Sequence, residues 1–224
     1  MTIDPGCFLS PAAVARSIAV ASEAHNPFAL IRIGDGEALT LAQDTVRSLA
    51  YVAGHGFLRA AGVIVPDLLA RDRVATAARL AEIVGVAARR DLPDFAPLTE
   101  EAFAFFGLRP RQLCDCCINY ALQAEGLLVP LLRGKRLFLI NRCWQSWARA
   151  LLKLYGFKVI GGVAVDQFGQ VDMALAAARR YRFDIALVAA GIPATWLSVA
   201  LARQKHCVAL DLGRLADLMS SLVI

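Results

Sequence analysis

The apolar positions of this chain change their rhythm along its length. In the second half, the runs 136–140, 158–160, 184–189 and 207–210 are short and apolar after their first residue, which predicts buried strands. Between them, 144–155, 170–180 and 194–203 carry helical spacing; Gly156 ends the first of these, and Asp217 lies in a last short helix. The first half opens on Ser10-Pro11, a capped helix start that predicts a helix to about residue 25. Asn26-Pro27 breaks it, and 28–33 reads as a buried strand. Leu39, Leu41, Val46 and Leu49 give 37–52 an approximate helical face. Beyond the bend Gly54-His55-Gly56, residues 67–89 read as one or two helices and 91–97 as a proline-punctuated loop. Helices are expected again at 99–106 and 113–132, separated by 107–111.

Strands alternating with helices of this length predict an α/β fold, an open and mostly parallel sheet covered on both faces. The chain of 224 residues reads as a single domain, with a helical insert or lid at 53–132. Strand-end loops then share one ligand-binding edge. Hydrophobic residues make up 58% of the chain, yet no long uncharged run accompanies them, so no membrane span is expected. The N-terminus carries Asp4 and lacks the features of a signal peptide, which gives a cytoplasmic expectation. The formal charge of +5 favours an anionic ligand; the basic residues are scattered or in short pairs such as Arg89-Arg90, and no nucleic-acid partner is expected. Six cysteines in such a chain are not a disulfide framework. The cluster Cys114-Asp115-Cys116-Cys117 lacks a CxxC pair and reads as ordinary thiols, with metal binding or redox activity as the alternatives.

The candidate chemistry sits at strand ends. In Arg32-Ile33-Gly34-Asp35-Gly36-Glu37, two carboxylates follow two glycines at the end of the first strand. Asp35 and Glu37 can converge on Mg²⁺ or Mn²⁺, with Gly34 letting the backbone wrap a ligand; the plainer reading is an acidic first turn of a helix. Arg32 can hold a ligand phosphate or fix the carboxylates, or lie on a surface edge strand. Asn141 and Arg142 follow the strand 136–140, where Arg142 can grip a phosphate; alternatively they are a helix cap and a solvent arginine. Gly191, Ala194 and Thr195 belong to a strand-to-helix turn whose open N–H groups can receive a phosphate or ribose oxygen, or which is only a tight turn. Asp211 can accept from a ribose hydroxyl or orient Arg214, or the two are a cap and a surface residue. Asp166 and Asp172 are both candidates for an acceptor-side base. Trp144 and Trp147 share a helix face suited to core or interface packing, with base or sugar stacking as the alternative, and the apolar faces also permit a homo-oligomer.

Two separated segments together resemble one family. Residues 31–37 resemble the R-F-G-D-G-E run of the GT-D-type glycosyltransferases, formerly a domain of unknown function. The segments 187–202 and 208–213 resemble that family's G-P-T-A segment and following D-x-G-H. Here the proline, Pro193, stands one place later than in the family, and Arg214 stands where the family has histidine. The resemblance implies a Rossmann-like core and a nucleotide-diphosphate sugar as donor. It implies a divalent cation, Mn²⁺ or Mg²⁺, held by Asp35 and Glu37. It also implies a catalytic site that includes Asp35, Glu37 and Arg214, and a bacterial protein-glycan or polysaccharide acceptor. The competing expectations are a noncatalytic nucleotide-binding or assembly protein, and a non-glycosyl transferase on a similar sheet.

Overall fold

A computed structural model describes residues 3–87 and 95–221 of the chain. The helix α1 (Pro11–Glu23) begins where Ser10 Oγ accepts the Ala13 amide, with Pro11 in the first turn. It leads through Asn26-Pro27 into β1 (Phe28–Ile33). Then follow α2 (Asp35–Ala42), α3 (Leu49–Ala53), α4 (Phe57–Ala60), α5 (Leu68–Leu80), β2 (Ile83–Val86) and α6 (Phe95–Phe105). Next come β3 (Leu113–Asp115), α7 (Ile118–Ala124), α8 (Leu128–Leu132), β4 (Leu137–Ile140), α9 (Trp144–Tyr155) and β5 (Val159–Val163). The chain closes with α10 (Val171–Ala178), β6 (Ile185–Val188), α11 (Pro193–Lys205), β7 (Val208–Asp211) and α12 (Leu215–Ser221).

The strands form a seven-stranded sheet in the order β3-β2-β1-β7-β6-β4-β5, every described pairing parallel. Period-2 alternation divides the side chains of the central strands between two cores. Ile31, Phe138, Val188 and Ala209 face a layer built with α2, α5, α6, α10 and α11. Leu30, Leu139, Leu187 and Leu210 face the other, built with α1, α7, α8, α9 and α12. The α/β class and the two-sided covering of the sheet are therefore as the sequence predicts.

The first half departs from its sequence reading in four places. Residues 67–89 hold α5 and then a strand, β2. Ile83-Val84-Gly85-Val86 is too short and uniformly apolar to separate strand from helix by period, and it follows the alanine-rich α5 without punctuation. Residues 113–132 begin with the edge strand β3 before turning helical. The helix expected over 37–52 is broken after α2: Gln43 is buried and holds Asp67 through both ends of its amide, Asp44 adopts a left-handed φ of 52°, and Ser48 caps α3 anew. Pro97 sits in the first turn of α6, where proline is tolerated, and not in a loop. Residues 91–94 of that expected loop, and the pair Arg89-Arg90, lie outside the described residues. No described helix is long and apolar enough to cross a membrane.

Candidate functional site at the carboxyl edge of the sheet

The loops leaving β1 and β6 turn to one face of the sheet, toward α2 and α11. Those leaving β7 and β4 turn to the other, toward α12 and α9. Adjacent loops that part in this way open a crevice at the strand ends. Two features occupy it: a charged nest at β1 and β7, and a cleft whose lining includes none of Arg32, Asp35, Glu37 and Asp211.

The nest is built on Arg32. Its Nη2 donates to Asp211 Oδ1 at 3.1 Å, its Nε to the Asp211 carbonyl at 3.2 Å, and its Nη1 to the Cys116 carbonyl at 3.4 Å. The side chain of Asp211 is 2% exposed and that of Arg32 is 21% exposed, so the guanidinium is the member of the pair that still reaches solvent. Asp211 thus orients Arg32 and not Arg214. Its Oδ1 also accepts the Gly213 amide at 3.0 Å. Gly213, at φ 47°, lies against the guanidinium where a Cβ would overlap it, so a side chain there would displace Arg32.

Asp35 and Glu37 both fall in the first turn of α2, where the helix dipole favours carboxylates. Glu37 Oε2 accepts the Gly34 amide at 3.0 Å, closing a capping interaction for which a glycine cap has no side chain. Burial, and next the repulsion of Asp211, push the Glu37 carboxyl up to about 7, with Arg32 and the Gly34 amide offsetting only part. Burial likewise raises Asp211 against the pull of Arg32. Two carboxylates, those of Glu37 and Asp211, thus act on one guanidinium, and Asp35 stands two residues from Glu37 in the same helical turn. Carboxylate oxygens are hard ligands of the kind that Mg²⁺ and Mn²⁺ take. A cation would also relieve the penalty that now raises Glu37.

The cleft has a volume of about 400 Å³. Arg142 from the β4 loop, Arg214 from the β7 loop, Asp217 from the first turn of α12, Asp166 from the β5 loop, and Ala190 and Gly191 from the β6 loop line it. Arg142 and Arg214 are exposed and make no ion pair among the described residues. Asn141 is spent on structure: its Nδ2 donates to the Ala189 carbonyl at 2.9 Å, and its Oδ1 accepts the Cys143 amide at 2.7 Å. It thereby ties the β4 loop to the β6 loop and aims the backbone that carries Arg142.

The β6 turn is more closed than its glycine suggests. The Ile192 amide donates to the Ala61 carbonyl, the Ala194 amide to Gly191, and the Thr195 amide to Ile192, while Pro193 has no N–H. Ala194 and Thr195 are fully buried, and the Thr195 hydroxyl donates to the Ile192 carbonyl at 2.9 Å. Among these residues it is Gly191 that lines the cleft. It sits at φ 64°, and a Cβ there would fall 2.5 Å from the Ala61 carbonyl oxygen.

Sequence reasoning missed α4 and the contacts that follow it. Phe57, Ala60 and Ala61 line the cleft, and the Gly62 carbonyl accepts the Phe168 amide at 2.8 Å, joining α4 to the loop that holds Asp166. Gly62, at φ 101° with Pro193 and the Asp166 carbonyl about 3 Å from where a Cβ would stand, was the available signal of a tightly packed turn there. Asp166 lines the cleft, whereas Asp172 is tied to Arg73 at 3.0 and 3.1 Å and is not among the lining residues. Trp147 is buried in the core, and Trp144 packs onto Gly162. All six cysteines are free. Burial pushes Cys114 and Cys116 up to about 12, so those thiols stay protonated at neutral pH.

The comparisons with known proteins agree with this architecture. No curated protein matches the chain by sequence. Among solved structures, one described as a new glycosyltransferase (DUF1792) from Streptococcus sanguinis superposes with a TM-score of 0.66 at 14% identity, covering 93% of this chain and 81% of that one. Another, of domain of unknown function 1792 and described as having a distinct glycosyltransferase fold, gives 0.60 at 14% identity over 92% and 83% of the two chains. The family model of the GT-D fold-like domain matches residues 9–219. This chain belongs to the GT-D-like family.

Proposed function

We propose that this protein is a glycosyltransferase that moves a sugar from a nucleotide-diphosphate donor to a hydroxyl of a protein-glycan or polysaccharide acceptor. The observation that carries this reading is the nest itself. The Glu37 carboxyl is raised to about 7 beside a half-buried Arg32 held by the buried Asp211, at the carboxyl edge of a GT-D-like sheet that also carries a cleft with two arginines in no ion pair among the described residues.

Asp35 and Glu37 are the residues that would hold a divalent cation, with Arg32 and Asp211 fixing the strand ends beneath them. Bound there, the cation would supply charge neutralisation to the departing diphosphate. Arg142 and Arg214 offer planar donors that match phosphate oxygens, and they reach the cleft from loops on the same face. Arg214 thus keeps a cationic group where the family has histidine. Gly191 lets the donor approach the backbone closely. Asp166 is the candidate to orient the acceptor hydroxyl and take its proton, because Asp172 is engaged with Arg73.

Calorimetric titration with UDP-, GDP- and dTDP-sugars, with and without Mn²⁺, tests the reading. Mn²⁺-dependent binding to one donor, lost in Asp35→Ala, is the expected result. A folded protein that binds none of them under either condition sinks it.

A further inference from the structure

Asp115 ends β3, the edge strand of the sheet, and Cys116 and Cys117 follow it before α7 begins. One ligating atom from each of the three, a carboxylate oxygen and two sulfurs, lies within 4.8 Å of the other two. We propose that these residues form a site for a thiophilic divalent cation such as Zn²⁺, separate from the carboxylate pair Asp35 and Glu37.

The donor set fixes the class of metal. Two thiolates and a carboxylate select zinc over Mg²⁺ and Mn²⁺, which take oxygen ligands. Tetrahedral zinc, with bonds of about 2.0–2.3 Å, holds its ligand atoms roughly 3.3–3.8 Å apart. The three atoms therefore need to draw together by no more than about 1.5 Å, which side-chain rotation supplies.

Burial decides which cysteines take part. Cys114 is fully buried in the core shared with α7 and α8, whereas Asp115, Cys116 and Cys117 are each partly exposed. Neither Cys116 nor Cys117 is in a disulfide. Asp115 is held in place, because its Oδ1 accepts the Cys117 amide at 2.7 Å, and its second oxygen is left for the metal.

A cavity of about 330 Å³ gives the entry path. Asp115 and Cys117 line it together with Leu9, Pro11, Ile118 and Ala121, an apolar wall that limits water at the metal. No fourth His, Cys, Asp or Glu joins the three among the described residues, so the remaining coordination position opens to water or an external ligand. Charge balances as well. Three anionic ligands leave one negative charge on a divalent cation, and Arg32, whose Nη1 donates to the Cys116 carbonyl at 3.4 Å, stands beside it. In the metal-free chain, burial and next the neighbouring Cys117 hold the Cys116 thiol up at about 12. Formation of the metal–sulfur bonds releases the thiol protons to solvent.

The test is titration of the reduced full chain with Co²⁺, whose thiolate complexes show a charge-transfer absorption that oxygen ligation does not, and with Zn²⁺ against a chromophoric chelator. Stoichiometric Co²⁺ binding with that absorption, displaced by Zn²⁺, is expected. The absorption should vanish when Cys116→Ser and Cys117→Ser are combined. Zn²⁺ affinity should fall at least tenfold in Asp115→Asn, which keeps an oxygen for the Cys117 amide. Both should persist in Asp35→Ala, and in the combination of Cys7→Ser with Cys143→Ser, the exposed thiols elsewhere on the chain. Proton release on Zn²⁺ binding, read as the dependence of the calorimetric heat on the buffer, tests thiolate ligation in the wild-type chain without any variant. The proposal is overturned by no charge-transfer absorption at stoichiometric Co²⁺, by no proton release, by an absorption that survives loss of both cysteines, or by Zn²⁺ affinity indifferent to Asp115. Loss of the absorption with Asp35, or with Cys7 and Cys143, overturns it equally.

Discussion

Glu37 is the residue whose surroundings oppose its charge most clearly. Its carboxyl is raised to about 7 by burial and by Asp211, so between its ordinary range and pH 7 the folded chain holds a proton that the unfolded chain releases. Folding stability therefore falls as pH rises through that window, and the penalty is complete above about 7. Glu37→Gln keeps an oxygen for the Gly34 amide and removes the charge. In chelator, denaturant unfolding should show the variant near wild type at pH 5 and more stable by about 3 kcal/mol at pH 8. Parallel curves from pH 5 to 8 would show that the carboxylate carries no such penalty. The site is legible in sequence to this same degree: Gly34-Asp35-Gly36-Glu37 announces itself by composition and place. The partners that shape it do not, because the Cys116 carbonyl and the Asp211 carboxylate reach Arg32 from 84 and 179 residues away.

At the level of elements, the turns decide how the loops meet. The β6 turn meets α4 through the hydrogen bond from the Ile192 amide to the Ala61 carbonyl, and Gly191 is the residue that allows this approach. Alanine at 191 would bring both a left-handed φ and a contact with a backbone oxygen that cannot move aside. Gly191→Ala should lower stability by about 1–3 kcal/mol and weaken donor binding beyond what stability explains, as unfolding and calorimetry on the same variant would show. A variant as stable as wild type would mean that α4 yields easily. The legibility of elements follows the same logic. From β4 onward, each strand is set off by a polar first residue, a glycine or a proline, and the reading holds. In 53–132 the strands β2 and β3 are short, and what makes them strands is pairing across long sequence gaps, β2 with β1 and β3 with β2. Period cannot reveal that.

For the molecule as a whole, β1 and β7 are the pair on which both the sheet and the nest depend. Their register brings Leu30 opposite Leu210, so that Arg32 and Asp211 meet just beyond it at the carboxyl edge. A ligand that bridges the first turn of α2 and the β7 loop would therefore clamp the two halves of the sheet together. Stabilisation by binding grows with ligand concentration, to about 2.7 kcal/mol at a hundredfold excess over Kd, and a chain of this length gains roughly 2–4 °C per kcal/mol. Mn²⁺ with the correct donor should thus raise the melting temperature by several degrees. Because Glu37 must be unprotonated to accept a cation, the rise should be larger at pH 8 than at pH 6, opposite in slope to the stability of the metal-free protein. Thermal melts at both pH values, with Asp35→Ala in parallel, separate the outcomes. A shift that survives the substitution would place the cation elsewhere, and an equal shift at both pH values would remove Glu37 from its ligands.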